Sequence, residues 1–516
     1  MSYSRIYSGH TQGIGAYIVT LEVDVAQGLH SFTIVGLPDK AVEESKDRVG
    51  AALKNSGFTT PKSKNQKVVI SLAPADLKKE GALFDLPMAL GYLLAINDIS
   101  FDPEEKLFVG ELGLSGELRP IKGILPIALH ARKKGIKELF VPYENGQEAG
   151  LVDGITIYGA HTLQEVVEHL NNRKKENKKI EPFPKTEVLR NEEEEAWGVT
   201  LDDIRGQENA KRALTIAAAG RHNIAFYGPP GTGKTMLARA LASLLPPLSR
   251  EEIFEVTSIH SIAGALVTPI ITLPPFRAPH HTSSHVALVG GGGNPRPGEV
   301  TLAHRGVLFL DEFPEFEKRS IESLREPLEN GMIAVSRAKG TIHFPAQFLL
   351  VAAMNPCPCG NFGALDKECI CRPLDLIKYE RKISGPIVDR IDMWVSVPHI
   401  SYEMLHEKKG SKNESEDAKE KIKKAHEIMR RRFSTSKKKI YANSDMTTRD
   451  IEEYIHLAPD VRNILDQGAK SLSLSPRAYH KVIKLARTIA DLDEQEEILQ
   501  KHILEALQYR PKIKTH

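Results

Sequence analysis

Residues Tyr17–Val25 alternate apolar and polar side chains, the period of a strand with one buried face, and Ser31–Gly36 and Lys67–Leu72 carry a similar signature. Apolar residues recur at helical spacing over Lys40–Ser56, Leu83–Ile96 and Ile124–Lys134. Together these elements predict one α/β domain over residues 1–168. The periodicity then stops. From Asn171 to Glu195 the chain is Lys-rich, then Pro-containing, then Glu-rich, which predicts a charged linker over 169–198. Over 199–400 apolar runs alternate with helical spacing, the pattern of a parallel-sheet α/β domain, and 401–516 reads as mainly helical. There is no internal repeat and no low-complexity segment beyond the linker.

The most informative junction lies between two of these predicted elements. The strand-like run Asn223–Tyr227 leads into Gly228, Pro229, Pro230, Gly231, Thr232, Gly233, Lys234 and Thr235, and helical spacing resumes at Met236. Glycines let backbone N–H groups turn toward a triphosphate, the lysine charge reaches its β/γ-phosphates, and the threonine hydroxyl can ligate Mg²⁺. The N-terminal end of the helix beginning near Met236 faces the same charge favourably. The motif therefore predicts binding and hydrolysis of ATP with Mg²⁺.

Further residues complete that chemistry. Val307–Leu310 is an apolar run ending in Asp311 and Glu312, one to hold Mg²⁺ and the other to orient or deprotonate the attacking water. Leu349–Met354 ends in Asn355, an amide able to position that water or sense the γ-phosphate. Arg390 precedes another apolar run, and Arg477 opens a helix in the C-terminal region, from which it could contact the phosphates as part of a lid. Each arginine can neutralise a transferring phosphoryl group, with a surface ion pair as the alternative. Residues 332–348 read as a hairpin whose turn carries Arg337 and Lys339.

Composition narrows the class. The 516 residues suggest about three domains, and 41% hydrophobic with 26% charged residues is ordinary for globular proteins. No run approaches a membrane span, and the N-terminus lacks a signal-peptide pattern, so a cytoplasmic protein without a membrane partner is expected. A net charge of +2 means that nucleic-acid binding has to rest on local patches. One such stretch, Lys421–Lys439, is strongly basic, with Ile422, Ala425, Ile428 and Met429 at helical spacing; a solvated helix face is the simpler reading. All 4 cysteines fall in two pairs, Cys357 with Cys359 and Cys369 with Cys371. Four thiolates around a structural Zn²⁺ is the leading reading, with reduced structural cysteines and a redox pair as alternatives. His280, His281 and His285 have no recognised metal spacing and are expected to hydrogen-bond within their loop.

GPPGTGKT, LFLDE, AAMN, SGPIVDRID and SPRAY, in this order, resemble an AAA+ ATPase of the magnesium-chelatase-like branch. FRAPHHTSSHVALVGGG, PGEVTLAHRGVLFLDE and AAMNPCPCG, with VGLPDKAVEESKDRV and KKEGALFDLPMAL nearer the N-terminus, resemble the bacterial ComM/YifB family over essentially the whole chain. The resemblance implies an AAA+ P-loop parallel-sheet ATPase core, a ribosomal-S5/Lon-like α/β N-terminal domain and a helical C-terminal lid. It also implies an insertion in helix 2 over 258–300 and identifies the 332–348 hairpin as a pore loop before the sensor strand. Lon-type peptidases need a serine and an activating lysine. No serine stands near Gly81–Asp85 where one would fall, and Ile127 occupies the lysine position, so the N-terminal domain is expected not to be a peptidase. The implied function is a ring motor, expected to be hexameric, on branched or single-stranded DNA. Such a motor would drive branch migration or unwinding during natural transformation, alongside recombination proteins, with Arg390 reaching a neighbour's site. The alternative is a protein-remodelling ATPase of the chelatase type.

Overall fold

The computed structural model describes residues 2–173, 178–187, 198–292, 295–337, 340–362, 368–400, 413–436, 438 and 440–511. Its contacts divide the chain into two compact units, Met1–Arg190 with Ile253–Ile271, and Asn191–Glu252 with Thr272–His516.

In the first unit, β1 (Ser2–Gln12) and β2 (Gly15–Gln27) pair antiparallel, with Gly9 opposite Ile18. The sheet continues through β4 (Gln66–Ala73) to β3 (Ser31–Val35), which runs parallel to β4. Helices α1 (Ser45–Asn55) and α2 (Asp85–Ala95) bury Val49, Leu53, Leu86, Met88, Leu90 and Leu93 in one core with Val19, Leu21, Val23, Ile70 and Leu72. The helical spacing of Lys40–Ser56 is thus realised mainly as α1, after a short helical turn at Lys40–Glu43. A second, parallel sheet of β5 (Lys106–Phe108), β6 (Glu138–Pro142) and β7 (Thr156–Ala160) packs with α3 (Ile124–Lys133).

The helix Arg250–Ala263 contributes to this unit, although its sequence position lies within the predicted 199–400 domain. Phe254 and Ile270 pack on the core around Leu125, Ile127 and Val141. Ser261 Oγ accepts the Gly123 N–H at 2.8 Å and donates to Glu148 Oε1 at 2.5 Å. Glu148 also accepts the Leu125 N–H at 2.9 Å, satisfying an otherwise unpaired donor at the start of α3. Ile127 is buried against Gly9, where even a single added carbon on the glycine would come within 2.5 Å of its side chain.

The second unit is built on a five-stranded sheet in the order β9 (Phe276–Arg277), β10 (Val307–Leu310), β13 (Leu349–Met354), β8 (Ile224–Tyr227), β14 (Met393–Ser396). Every pairing is parallel. Both faces are covered, so the strands read as continuous apolar runs rather than alternations. Between β10 and β13 the chain folds the antiparallel hairpin β11 (Met332–Arg337) and β12 (Gly340–Pro345), with Ile333 opposite Phe344. Helix α4 (Lys234–Leu244) follows β8 and buries Leu237, Ala238, Leu241 and Leu244. The helical C-terminal part packs into the same core: α6 (Glu414–Arg432) through Ala418, Ile422, Ala425 and Met429, and α7 (Pro476–Leu492) through Val482, Leu485, Ala486 and Ile489. Short α5 (Pro373–Glu380) precedes both. Among the described residues no helix is long and apolar enough to cross a membrane.

Candidate nucleotide site and its paired arginines

Parallel strands bring their carboxyl ends to one edge of the sheet, and in an open α/β sheet that edge is where ligands bind. β8, β13 and β10 are neighbours there, with Tyr227 opposite Met354 and Leu310 opposite Ala352. The residues following them therefore converge: the glycine-rich loop after β8, Asn355 after β13, and Asp311 and Glu312 after β10.

The loop backbone requires its glycines. A Cβ on Gly228 would come within 2.1 Å of the Val397 carbonyl oxygen, and Gly233 caps α4 at φ 86°. Thr232 Oγ1 donates to the Pro229 carbonyl at 3.0 Å, closing the turn over Pro230 and Gly231. Lys234 Nζ donates to the carbonyls of Gly228 and Pro229, both at 2.8 Å, and to Asn355 Oδ1 at 3.2 Å. Burial pushes the Lys234 pKa down, and the charge of Asp311 pulls it back. Thr235 Oγ1 donates to Asp311 Oδ2 at 3.1 Å, so the two expected Mg²⁺ residues share one point in space. Met236 exposes its side chain, so its first-turn backbone N–H is the group it could offer a phosphate.

Glu312 takes a left-handed backbone at φ 52°, and its N–H donates to Asp311 Oδ1 at 2.9 Å. Its carboxylate oxygen Oε2 lies 2.9 Å from His281 Nδ1. The sequence pattern treats His281 as a loop residue; the structure brings it onto the expected catalytic base. Its ring also lies beside that of His280, with centroids 4.2 Å apart. Behind the site, the buried Tyr379 of α5 donates its hydroxyl to the Asn355 carbonyl at 3.2 Å.

The two arginines form a separate group. Arg390 and Arg477 both pair with Glu329, Arg390 through Nη2 to Oε2 and Arg477 through Nη2 to Oε1 at 3.4 Å. Arg390 also donates from Nε to the Arg325 carbonyl at 3.2 Å and from Nη1 to the Pro386 carbonyl at 2.8 Å. Among the described residues, none of these partners belongs to the phosphate loop. Glu329 is held below the usual carboxylate range because the two guanidiniums outweigh its partial burial.

A clamp joins the elements that carry these arginines. Lys481 of α7 donates to the Arg390 carbonyl at 2.8 Å and to Asp392 Oδ1 at 2.5 Å, while Ser475 Oγ reaches Asp389 at 3.4 Å. Asp392 also accepts the Asn223 N–H at 2.8 Å, tying the clamp to the start of β8. Burial alone would raise the Asp392 pKa, yet Lys481 and His222 depress it far below the ordinary value. Both SGPIVDRID and SPRAY are thus parts of one charged joint.

Of the remaining sequence expectations, the 332–348 hairpin is present. Lys339 and the side chain of Arg337 lie outside the described residues. The expected α6 buries its apolar stripe, and Lys424 on its outer surface pairs with Glu494 at 3.0 Å. Cys357, Cys359, Cys369 and Cys371 are unbridged, with their sulfur atoms all within 4.8 Å of one another.

A parallel sheet with a phosphate loop, a strand-end Asp-Glu pair and a helical C-terminal part defines a magnesium-chelatase-like AAA+ ATPase fold. The family described as magnesium chelatase, subunit ChlI, matches residues 200–405. The matches to ChlI over 21–145 and to its C-terminal domain over 412–510 account for most of the rest. Competence protein ComM of Haemophilus influenzae is 42% identical over 520 aligned residues, covering 100% of this chain and 98% of the relative. Uncharacterized protein YifB of Escherichia coli is 40% identical, covering 99% and 97%. The magnesium-chelatase 38 kDa subunit of Cereibacter sphaeroides is 31% identical over 171 residues, 30% of this chain and 51% of that protein. The chain belongs to the ComM/YifB family.

Proposed function

We propose that this protein is an ATP-driven ring motor acting on DNA, assembled as a hexamer and used in branch migration or unwinding of recombination intermediates. The observation that carries the reading is the division of the catalytic residues into two groups within one chain. Lys234, Thr235, Asp311, Glu312 and Asn355 form a nucleotide-binding half, while Arg390 and Arg477 meet at Glu329. A neighbouring subunit presenting its arginine group to this nucleotide half would complete the site. ATP with Mg²⁺ would then be bound by the loop, Thr235 and Asp311, and Glu312 would activate the water.

The route from hydrolysis to movement is short. The β11–β12 hairpin is followed within a few residues by β13, whose far end delivers Asn355. A shift sensed at Asn355 moves the strand to which the hairpin is tethered. The basic turn at Arg337 and Lys339 suits phosphate contacts, which hold a strand without reading its sequence. The relative named for competence supports DNA as the track, and recombination proteins would be its natural partners. In the first unit, the position where the resemblance would put a peptidase lysine is the buried Ile127, packed on Gly9, which favours a non-catalytic scaffold.

The test is ATP turnover with and without forked DNA at low salt, together with strand displacement on the same fork. Stimulation by the fork is expected, reduced by the double variant Arg337→Glu, Lys339→Glu. Absence of both stimulation and displacement would rule out a DNA motor. The similarity to the magnesium-chelatase subunit would then favour a protein-remodelling ATPase.

A further inference from the structure

The geometry points to one zinc ion held by Cys357, Cys359, Cys369 and Cys371 that acts as a tension tie on the ATP site. The sulfurs of Cys357, Cys359 and Cys369 are separated by 3.4, 3.7 and 3.6 Å. Four thiolates placed tetrahedrally at a Zn–S distance of about 2.3 Å have sulfurs about 3.8 Å apart, whereas a disulfide requires about 2.05 Å. The fourth sulfur, Cys371, lies in the same cluster. The Phe362 N–H donates to Cys357 Sγ at 3.3 Å, the kind of hydrogen bond that orients a metal-bound thiolate. Cys357 is buried and the other three are partly so, which leaves an entry path for the ion.

Both cysteine pairs lead back to Asn355. The first pair begins two residues after it, separated only by Pro356. The turn made by that pair also touches the phosphate loop: a Cβ on Gly360 would come within 2.8 Å of Pro230 Cδ. The second pair ends at Cys371, immediately before Arg372 caps α5, and Tyr379 near the end of α5 holds the Asn355 carbonyl. A zinc ion joining the pairs closes this loop. Without it, the Tyr379 hydrogen bond has to keep the segment that aims the Asn355 amide at Lys234 and the segment that supports its carbonyl in register with no covalent cross-link beyond the chain itself. The inference rests on the reading of Asn355 as a γ-phosphate contact and adds a metal that determines its placement. A misplacement of 1 Å at a reacting centre costs roughly 100-fold in rate, so the tie affects hydrolysis far more than binding.

Full-length protein purified without chelators should contain about one zinc per chain by elemental analysis, as a four-thiolate structural site requires. Release of that zinc by an organomercurial, or its loss in the double variant Cys359→Ser, Cys371→Ser, should lower ATP hydrolysis roughly 10- to 100-fold. Affinity for a fluorescent ATP analogue should change little. Amide exchange over 355–362 and 373–380 should accelerate at the same time, a readout independent of turnover and usable on the organomercurial-treated wild type if the variant does not fold. Lys234→Ala should keep its zinc while losing hydrolysis. If the wild type holds zinc and shows the exchange response but is inert toward ATP, the motor reading fails and the metal tie stands. Zinc below about one-tenth per chain, iron in its place, or zinc loss that changes neither exchange nor turnover overturns the inference.

Discussion

Glu312 shows how much of the chemistry is decided by single side chains. A left-handed backbone aims it away from the ordinary continuation of β10, and the imidazole of His281 is its described side-chain partner. Glu312→Gln should leave ATP binding intact and reduce hydrolysis by at least about 100-fold, as removal of an essential general base does. His281 engages that carboxylate, so freeing it in His281→Ala should raise basal turnover a few-fold with unchanged nucleotide affinity. A fall in turnover would show instead that the imidazole positions the base. Steady-state ATPase assays with and without DNA separate the two. The glycine-rich loop, Asp311, Glu312 and Asn355 were legible because each follows an apolar strand run at a chemically diagnostic spacing. His281 was not, because its partner follows β10, far along the chain, and no local spacing links them.

Elements were legible where burial is apolar and hidden where it is not. β2 and β4 stand out by alternation, but β1 buries Ser4, Ile6, Ser8 and His10, so its inward face carries one apolar side chain among polar ones. Ser4 makes up the deficit by donating to the Gly91 carbonyl of α2 at 2.7 Å. The helix Arg250–Ala263 was concealed differently, since its apolar spacing does not reveal which unit it serves. Its Ser261 hydrogen-bonds to Glu148, and burial pushes the Glu148 pKa up from 4.5 to about 7 despite the hydrogen bonds it accepts. Between those values the native state holds a proton that the unfolded state has released, so stability falls as pH rises from about 4.5 to about 7. Glu148→Gln keeps the acceptor and removes the ionisation. It should flatten this dependence and stabilise the first unit at pH 8 by at most on the order of 3 kcal/mol. Amide exchange in α3 at pH 5 and pH 8 measures it; an unchanged pH slope in the variant would remove Glu148 as the cause.

At the scale of the molecule, the organisation of the chain follows from where the charges meet. Arg390 and Arg477 are far apart in sequence and belong to different elements, yet the Lys481–Asp392 clamp holds those elements together and Glu329 gathers both guanidiniums. Their motif positions were readable from the sequence, but their shared carboxylate was not, because a glutamate at the end of a short helix carries no distinguishing pattern. The proposed division of the site between subunits predicts complementation. Lys234→Ala and Arg390→Ala should each be inactive alone, whereas mixed subunits should recover part of the turnover. Failure to recover any, with mixed assemblies verified by light scattering, would mean that Arg390 does not act across subunits.

One negative charge set against two guanidiniums leaves the Glu329 trio with a net positive charge, its Arg477 half-exposed and its Arg390 largely buried. In the proposed ring, a neighbour's nucleotide would be the complementary charge, and the attraction would act through solvent before contact is made. With a Debye length of about 8 Å at physiological ionic strength, that attraction fades as salt increases. Subunit assembly and turnover should therefore decline together on a salt titration, even without DNA. Glu329→Gln, which adds to the uncancelled charge, should steepen the dependence. The same carboxylate that pairs with both arginines in a lone subunit would thus set how strongly ionic conditions govern the proposed assembly.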